Sequence, residues 1–170
     1  MSRRLPLLAA LVALCPAVAL AEDADWSYDA DNNKAVAIQK DQLLAVLCGE
    51  KNNIVVYYSV PQASLEKALA DRKSPYLAIA MDGDLSGLSG YSVKAFPQDI
   101  DDVRYFTFQG KAAVNIAKRI GKAKDHILVT VSTKDPATAG KNYPRYNSNI
   151  YPADGAGHAI ATLFENCPQD

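Results

Sequence analysis

The side chains of this 170-residue chain best able to do chemistry are few: three cysteines and two histidines. His126 opens an apolar stretch beside Asp125, and His158 falls in the first turn of a C-terminal helical pattern; both read as surface or capping histidines. A Ser-His-Asp set comes together only in space, so a cryptic hydrolase using His126 or His158 stays open as a second alternative. Gly87-Leu88-Ser89-Gly90 misses the Gly-x-Ser-x-Gly elbow, and no helix follows it closely. Asp29-Ala-Asp31-Asn32-Asn33 offers oxygens at the first, third and fifth positions of a calcium loop, but Lys34 stands at the sixth and Lys40 at the twelfth. An ammonium in place of a bidentate carboxylate repels the ion, so the segment reads as a turn. Gly87 and Gly90 lack the Lys-Ser/Thr pair of a phosphate loop. No metal, cofactor or catalytic set is therefore assigned.

The cysteines point elsewhere. Arg3 and Arg4 precede an apolar run from Leu5 to Leu20, and Ala19-Leu20-Ala21 supplies the small residues of a signal-peptidase site, predicting cleavage before Glu22. Pro6 and Pro16 interrupt that run, and it is shorter than a span of roughly 20 residues. The leader removes Cys15, two of the 18 basic residues and none of the 19 acidic ones, so residues 22–170 carry a formal charge of −3. This argues against a nucleic-acid partner, and no second apolar segment predicts stable membrane insertion. Cys48 and Cys167 remain. In an oxidising compartment two cysteines leave one pairing, a Cys48–Cys167 disulfide stabilising by on the order of 4 kcal/mol in the chain-entropy model. Neither has a second Cys or His at zinc-ligand spacing.

The elements that must carry these residues follow from period. Trp26–Tyr28 and Ala35–Ile38 read as short strands around the Asp29–Asn33 turn. Leu43–Cys48 and Ile54–Ser59 read as a hairpin with Cys48 at its turn end. Pro61–Arg72 has helical spacing through Leu65, Ala68 and Leu69. Tyr76–Met81 and Tyr91–Phe96 read as strands flanking a glycine- and serine-rich loop. Pro97–Asp102 reads as an acidic loop, and Val103–Phe108 as an aromatic strand. Ala113, Ile116, Ala117 and Ile120 stripe a helix over Lys111–Lys124, with Lys118, Arg119, Lys122 and Lys124 outward. A buried strand follows at Ile127–Ser132. Thr133–Asp154 reads as a loop with a short strand near Asn149–Tyr151, and at this length it is either functional or hides structure. Ala156–Glu165 reads as a helix facing the sheet with Ala159, Ile160 and Leu163, returning Cys167 to Cys48.

Two surfaces have the composition of recognition patches. Tyr143, Arg145, Tyr146 and Tyr151 interleave with prolines on the long loop; packing of these tyrosines onto the sheet is the competing reading. Ser86, Ser89 and Tyr91 lie in the glycine- and serine-rich loop, which is similar in composition to the loop that periplasmic lysozyme inhibitors insert into an enzyme cleft. An acidic domain would suit a cationic enzyme.

The order of features resembles small exported proteobacterial proteins of the type VI secretion-associated VasI/TagO-like group. The resemblance rests on an early Trp26, a strand ending at Cys48, the Val103-Arg-Tyr-Phe-Thr-Phe-Gln109 strand followed by the Lys111 helix and the Ile127 strand, and the closing Ala159-Ile-Ala-x-Leu163-x-x-x-Cys167. It implies a periplasmic accessory or binding role with no catalytic residues to transfer. The sequence thus predicts a leader at 1–21 and a single α+β domain at 22–170, a mainly antiparallel sheet of seven or eight strands with about three helices. Its expected role is that of an exported, non-enzymatic binding or accessory protein of the cell envelope, periplasmic or secreted, whose partner is another envelope or secreted protein. The alternative is an inhibitor or immunity protein that blocks a cell-wall enzyme.

Overall fold

Apolar, strand-forming runs separated by short turns drive the first half of the chain into consecutive hairpins. In the computed structural model, which describes residues 24–71, 74–83, 91–139 and 142–168, these are β1 (Ala24–Asp29), β2 (Lys34–Gln39), β3 (Gln42–Cys48) and β4 (Ile54–Pro61). Lys40 and Asp41, both at positive φ (50° and 60°), make the β2–β3 turn, the backbone pair that matches strand twist in a two-residue loop. Asp29 closes the β1–β2 turn by accepting the N–H groups of Asp31 (3.1 Å) and Asn32 (3.2 Å) and pairing with Lys34 (3.2 Å). Its carboxylate serves the turn, as the sequence suggested.

β7 (Phe96–Ile100) and β8 (Val103–Gln109) complete a six-stranded antiparallel sheet in the order β1-β2-β3-β4-β8-β7. A second sheet, β10-β9-β5-β6, is built from β5 (Tyr76–Met81), β6 (Tyr91–Lys94), β9 (His126–Ser132) and β10 (Tyr146–Pro152), again antiparallel. Helices α2 (Lys111–Ile120) and α4 (Ala156–Glu165) pack on one face of the larger sheet. Ala113, Ile116, Ala117 and Ile120 of α2 meet Ala159, Ile160 and Leu163 of α4 in a core that also takes Leu44, Val46, Ile54, Val56 and Tyr58 from the larger sheet. Leu77, Ile79, Ile127 and Val129 of the smaller sheet enter the same core. The fold is α+β and mainly antiparallel, with ten strands and four helices among the described residues.

Three readings of the sequence change, each because a tertiary contact outweighs local pattern. Pro61–Arg72 is not one helix: a 3-10 turn at Gln62–Ser64 and a four-residue α1 (Lys67–Ala70) flank extended Leu65 and Glu66. Asn147 causes the break, donating from Nδ2 to the Ser64 carbonyl (2.8 Å) and accepting the Glu66 N–H at Oδ1 (3.1 Å). Pro97–Asp102 is largely strand rather than loop. As the sheet edge, β7 tolerates Pro97, and Asp99 binds Arg104 of β8 through two hydrogen bonds of 2.7 and 2.6 Å. In Thr133–Asp154, α3 (Pro136–Ala139) and a seven-residue β10 replace half of the expected loop. The segment leading into β10 brings Tyr143 and Ala139 against Ala78, Ala80 and Leu128, covering the outer face of the smaller sheet.

Candidate functional site

Cys48 ends β3 at the turn, and Cys167 follows α4 by two residues; they form a disulfide with Cα atoms 5.8 Å apart. Asn33 donates from Nδ2 to the Asn166 carbonyl (3.2 Å) and accepts the Tyr28 hydroxyl (2.8 Å), so the bond sits in a local hydrogen-bonded junction of turn, strand and helix. The sulfurs are spent on structure.

His126 is held at both ring nitrogens: Nδ1 lies 2.8 Å from the Asp125 carboxylate and Nε2 lies 3.0 Å from the Gly83 carbonyl. Two acceptors on one imidazole favour its doubly protonated form, and the Gly83 carbonyl, followed by Asp125, raises its pKa above the ordinary value. A ring committed in this way has no nitrogen free to take a proton from a nucleophile. Asp82 at the same place accepts the backbone N–H groups of Asp125 (2.8 Å) and Lys124 (2.9 Å), which holds its carboxyl below the usual range. This cluster is a loop clamp. His158 is exposed on α4.

The expected recognition residues separate by burial. Tyr151 is wholly buried beside Tyr58, so its side chain serves the core and presents nothing to a partner. Tyr146 is half-buried against the core. Tyr143 is 7% exposed and carries the Arg145 guanidinium over its ring, 4.9 Å from the centroid. Arg145 itself is exposed. Tyr91 contributes its backbone to β6, opposite Ile79, while Ser86 and Ser89 lie outside the described residues.

Arg145 stands over a groove of about 690 Å³ along the free edge of β10, where it meets the β2–β3 turn. Gln39 and Lys40 line one side, and Leu128 of β9 with Ser148, Asn149, Ile150 and Pro152 of β10 the other. Asn149 ties the two sides by donating from Nδ2 to the Gln39 carbonyl (2.7 Å). Ser148 is fixed by Thr130, 2.7 Å away. Three features mark the groove as unfinished. Lys40 and Arg145 have no ion-pair partner among the described residues. The Gln39 side-chain oxygen is buried without a hydrogen-bond donor. Ile150 is 55% exposed on the edge strand, opposite Leu128 of β9. Sequence reading found Arg145 but not Gln39, Lys40 or Ile150; Ile150 alone signals itself, as a large apolar residue at an outward β position.

In comparisons with known proteins no family model matches the chain, and no curated protein and no solved structure is found similar to it. The geometry above therefore carries the functional reading alone. No helix among the described residues is long and apolar enough to cross a membrane.

Proposed function

We propose that this chain is an exported, non-enzymatic binding or accessory protein of the bacterial cell envelope, and that it grips another envelope or secreted protein in the β10 groove. The observation that carries the reading is the pair of cations, Lys40 and Arg145, which have no ion-pair partner among the described residues and line one groove with the exposed Ile150. A segment with one or two carboxylates for the cations and an apolar side chain for Ile150 complements these groups. Arg145 resting on Tyr143 is pre-organised, so little rotamer freedom is lost on engagement. Export is supported by the leader pattern and by the Cys48–Cys167 bond, which belongs in an oxidising compartment. A bound rather than transformed partner is supported by the engagement of both His126 nitrogens.

The test is capture of envelope proteins on the oxidised protein and on a Lys40→Glu/Arg145→Glu variant. The wild type is expected to retain an acidic partner that the variant loses at least tenfold, the scale of a hot-spot contact. Equal capture by both proteins removes the groove from the account. Retention of a cell-wall enzyme whose activity is blocked favours the inhibitor reading instead.

A further inference from the structure

The six-stranded sheet has two faces, and the described residues cover one. Residues of the inner register, such as Leu44, Val46, Ile54, Val56 and Phe106, make the core under α2 and α4. Their outward neighbours include six large apolar residues, Leu43 and Leu47 on β3, Val55 and Tyr57 on β4, Tyr105 on β8 and Phe96 on β7, set beside the polar Ser59, Gln98, Thr107 and Gln109. None of these six belongs to the core, whereas a solvated antiparallel sheet normally turns polar residues outward. Ile38 and Ile100, both 48% exposed, and Phe96, 61% exposed, extend the apolar surface to both sides. Tyr57 and Tyr105 pack edge to face across it, 5.9 Å between centroids. The smaller sheet differs: the segment with Tyr143 and Ala139 lies on its outer face.

We infer that the outer face of the six-stranded sheet is the interface of a homodimer, a second copy packing its own outer face against the first. Charge selects this occupant. In the paired register of the face the charged side chains are Asp29 and Lys34, joined to each other at one corner. An acidic protein that would otherwise repel its copy meets no like charge here, and a charged partner or anionic lipid surface finds nothing to pair with. Area agrees. Six strands at about 4.8 Å spacing and about 20–25 Å long give a flat footprint of roughly 500–600 Å², and side-chain relief brings the accessible area toward the ~800 Å² per partner of a standard interface. Two such faces stack about 10 Å apart in a two-fold, self-complementary arrangement.

Sedimentation equilibrium of the full chain, expressed with its leader and recovered oxidised from the envelope, tests this. A dimer at micromolar concentration is expected, weakened at least tenfold by Ile38→Lys and by Phe96→Lys and unchanged by Ile150→Lys in the groove. Cooperative melting of each variant with its disulfide intact shows that the fold is kept. A monomer at 100 μM, a dimer indifferent to both face variants, or a monomer that instead binds zwitterionic lipid vesicles each overturns the inference.

Discussion

Gly155 stands where the chain turns into α4 with φ +76°, and a Cβ built there would lie 2.4 Å from the Trp26 carbonyl oxygen. Trp26 is held at that spot by its own N–H, which donates to the Asp154 carbonyl (3.0 Å). Gly155→Ala therefore combines left-handed strain with a backbone clash and is expected to cost about 2 kcal/mol or more in urea unfolding; a loss under about 0.5 kcal/mol contradicts the packing of Trp26 on α4. His126 gives the pH dependence. Folding raises its pKa above the ordinary 6.5 through the Gly83 carbonyl and then Asp125. The proton it gains stabilises the native state fully below about pH 6.5, and that contribution is lost as pH rises through the higher native value. An NMR titration of His126 should place its midpoint above 6.5, with Asp125→Asn lowering it. A native midpoint at or below 6.5 contradicts the two-acceptor geometry.

Elements divide by how local their causes are. The Leu43–Cys48 and Ile54–Ser59 hairpin is legible because both runs are apolar and the intervening residues are turn formers; in the structure Cys48 pairs with Ile54 at the turn end. The α4 stripe and its terminal cysteine are legible for the same reason, and the disulfide joins the two cysteines that lie beyond residue 21. What sequence did not disclose depends on partners far along the chain. Asn147 is 81 residues from Glu66, yet it splits the expected helix there. Pro97 and Asp99 look like loop until Arg104 supplies the cross-strand partner. Arg104 also donates from Nη1 to the Leu69 carbonyl (2.9 Å) and to that of Ala70, fastening α1 to the sheet edge. Arg104→Ala is expected to lose about 1–2 kcal/mol and to raise hydrogen exchange in Lys67–Ala70 and Phe96–Ile100 together; separate responses contradict the clamp. Removing the disulfide with Cys48→Ser and Cys167→Ser closes no loop in the unfolded chain and should cost about 4–5 kcal/mol. A loss under about 1 kcal/mol in urea unfolding contradicts a tether that organises the fold.

At the scale of the whole molecule the two sheets are used differently. The smaller one is closed on its outer face by the chain's own long segment, and the free edge of β10 left beside it forms the groove. The groove was only half legible because Gln39 and Lys40 are 105 and more residues before Arg145, and the two sides meet through tertiary contacts such as Asn149–Gln39. Burial, equally invisible in composition, separates Arg145 from Tyr151, which shares its aromatic neighbourhood in sequence but lies in the core. Recognition through this groove is the central claim, and site-specific photocrosslinking in intact bacteria tests it most directly, with a photoreactive side chain at Ile150 and a control at exposed His158. The account predicts a discrete adduct with another envelope protein from position 150, absent from position 158 and lost when Lys40 and Arg145 are both changed to glutamate. The same adducts from both positions, or none from 150, would contradict it.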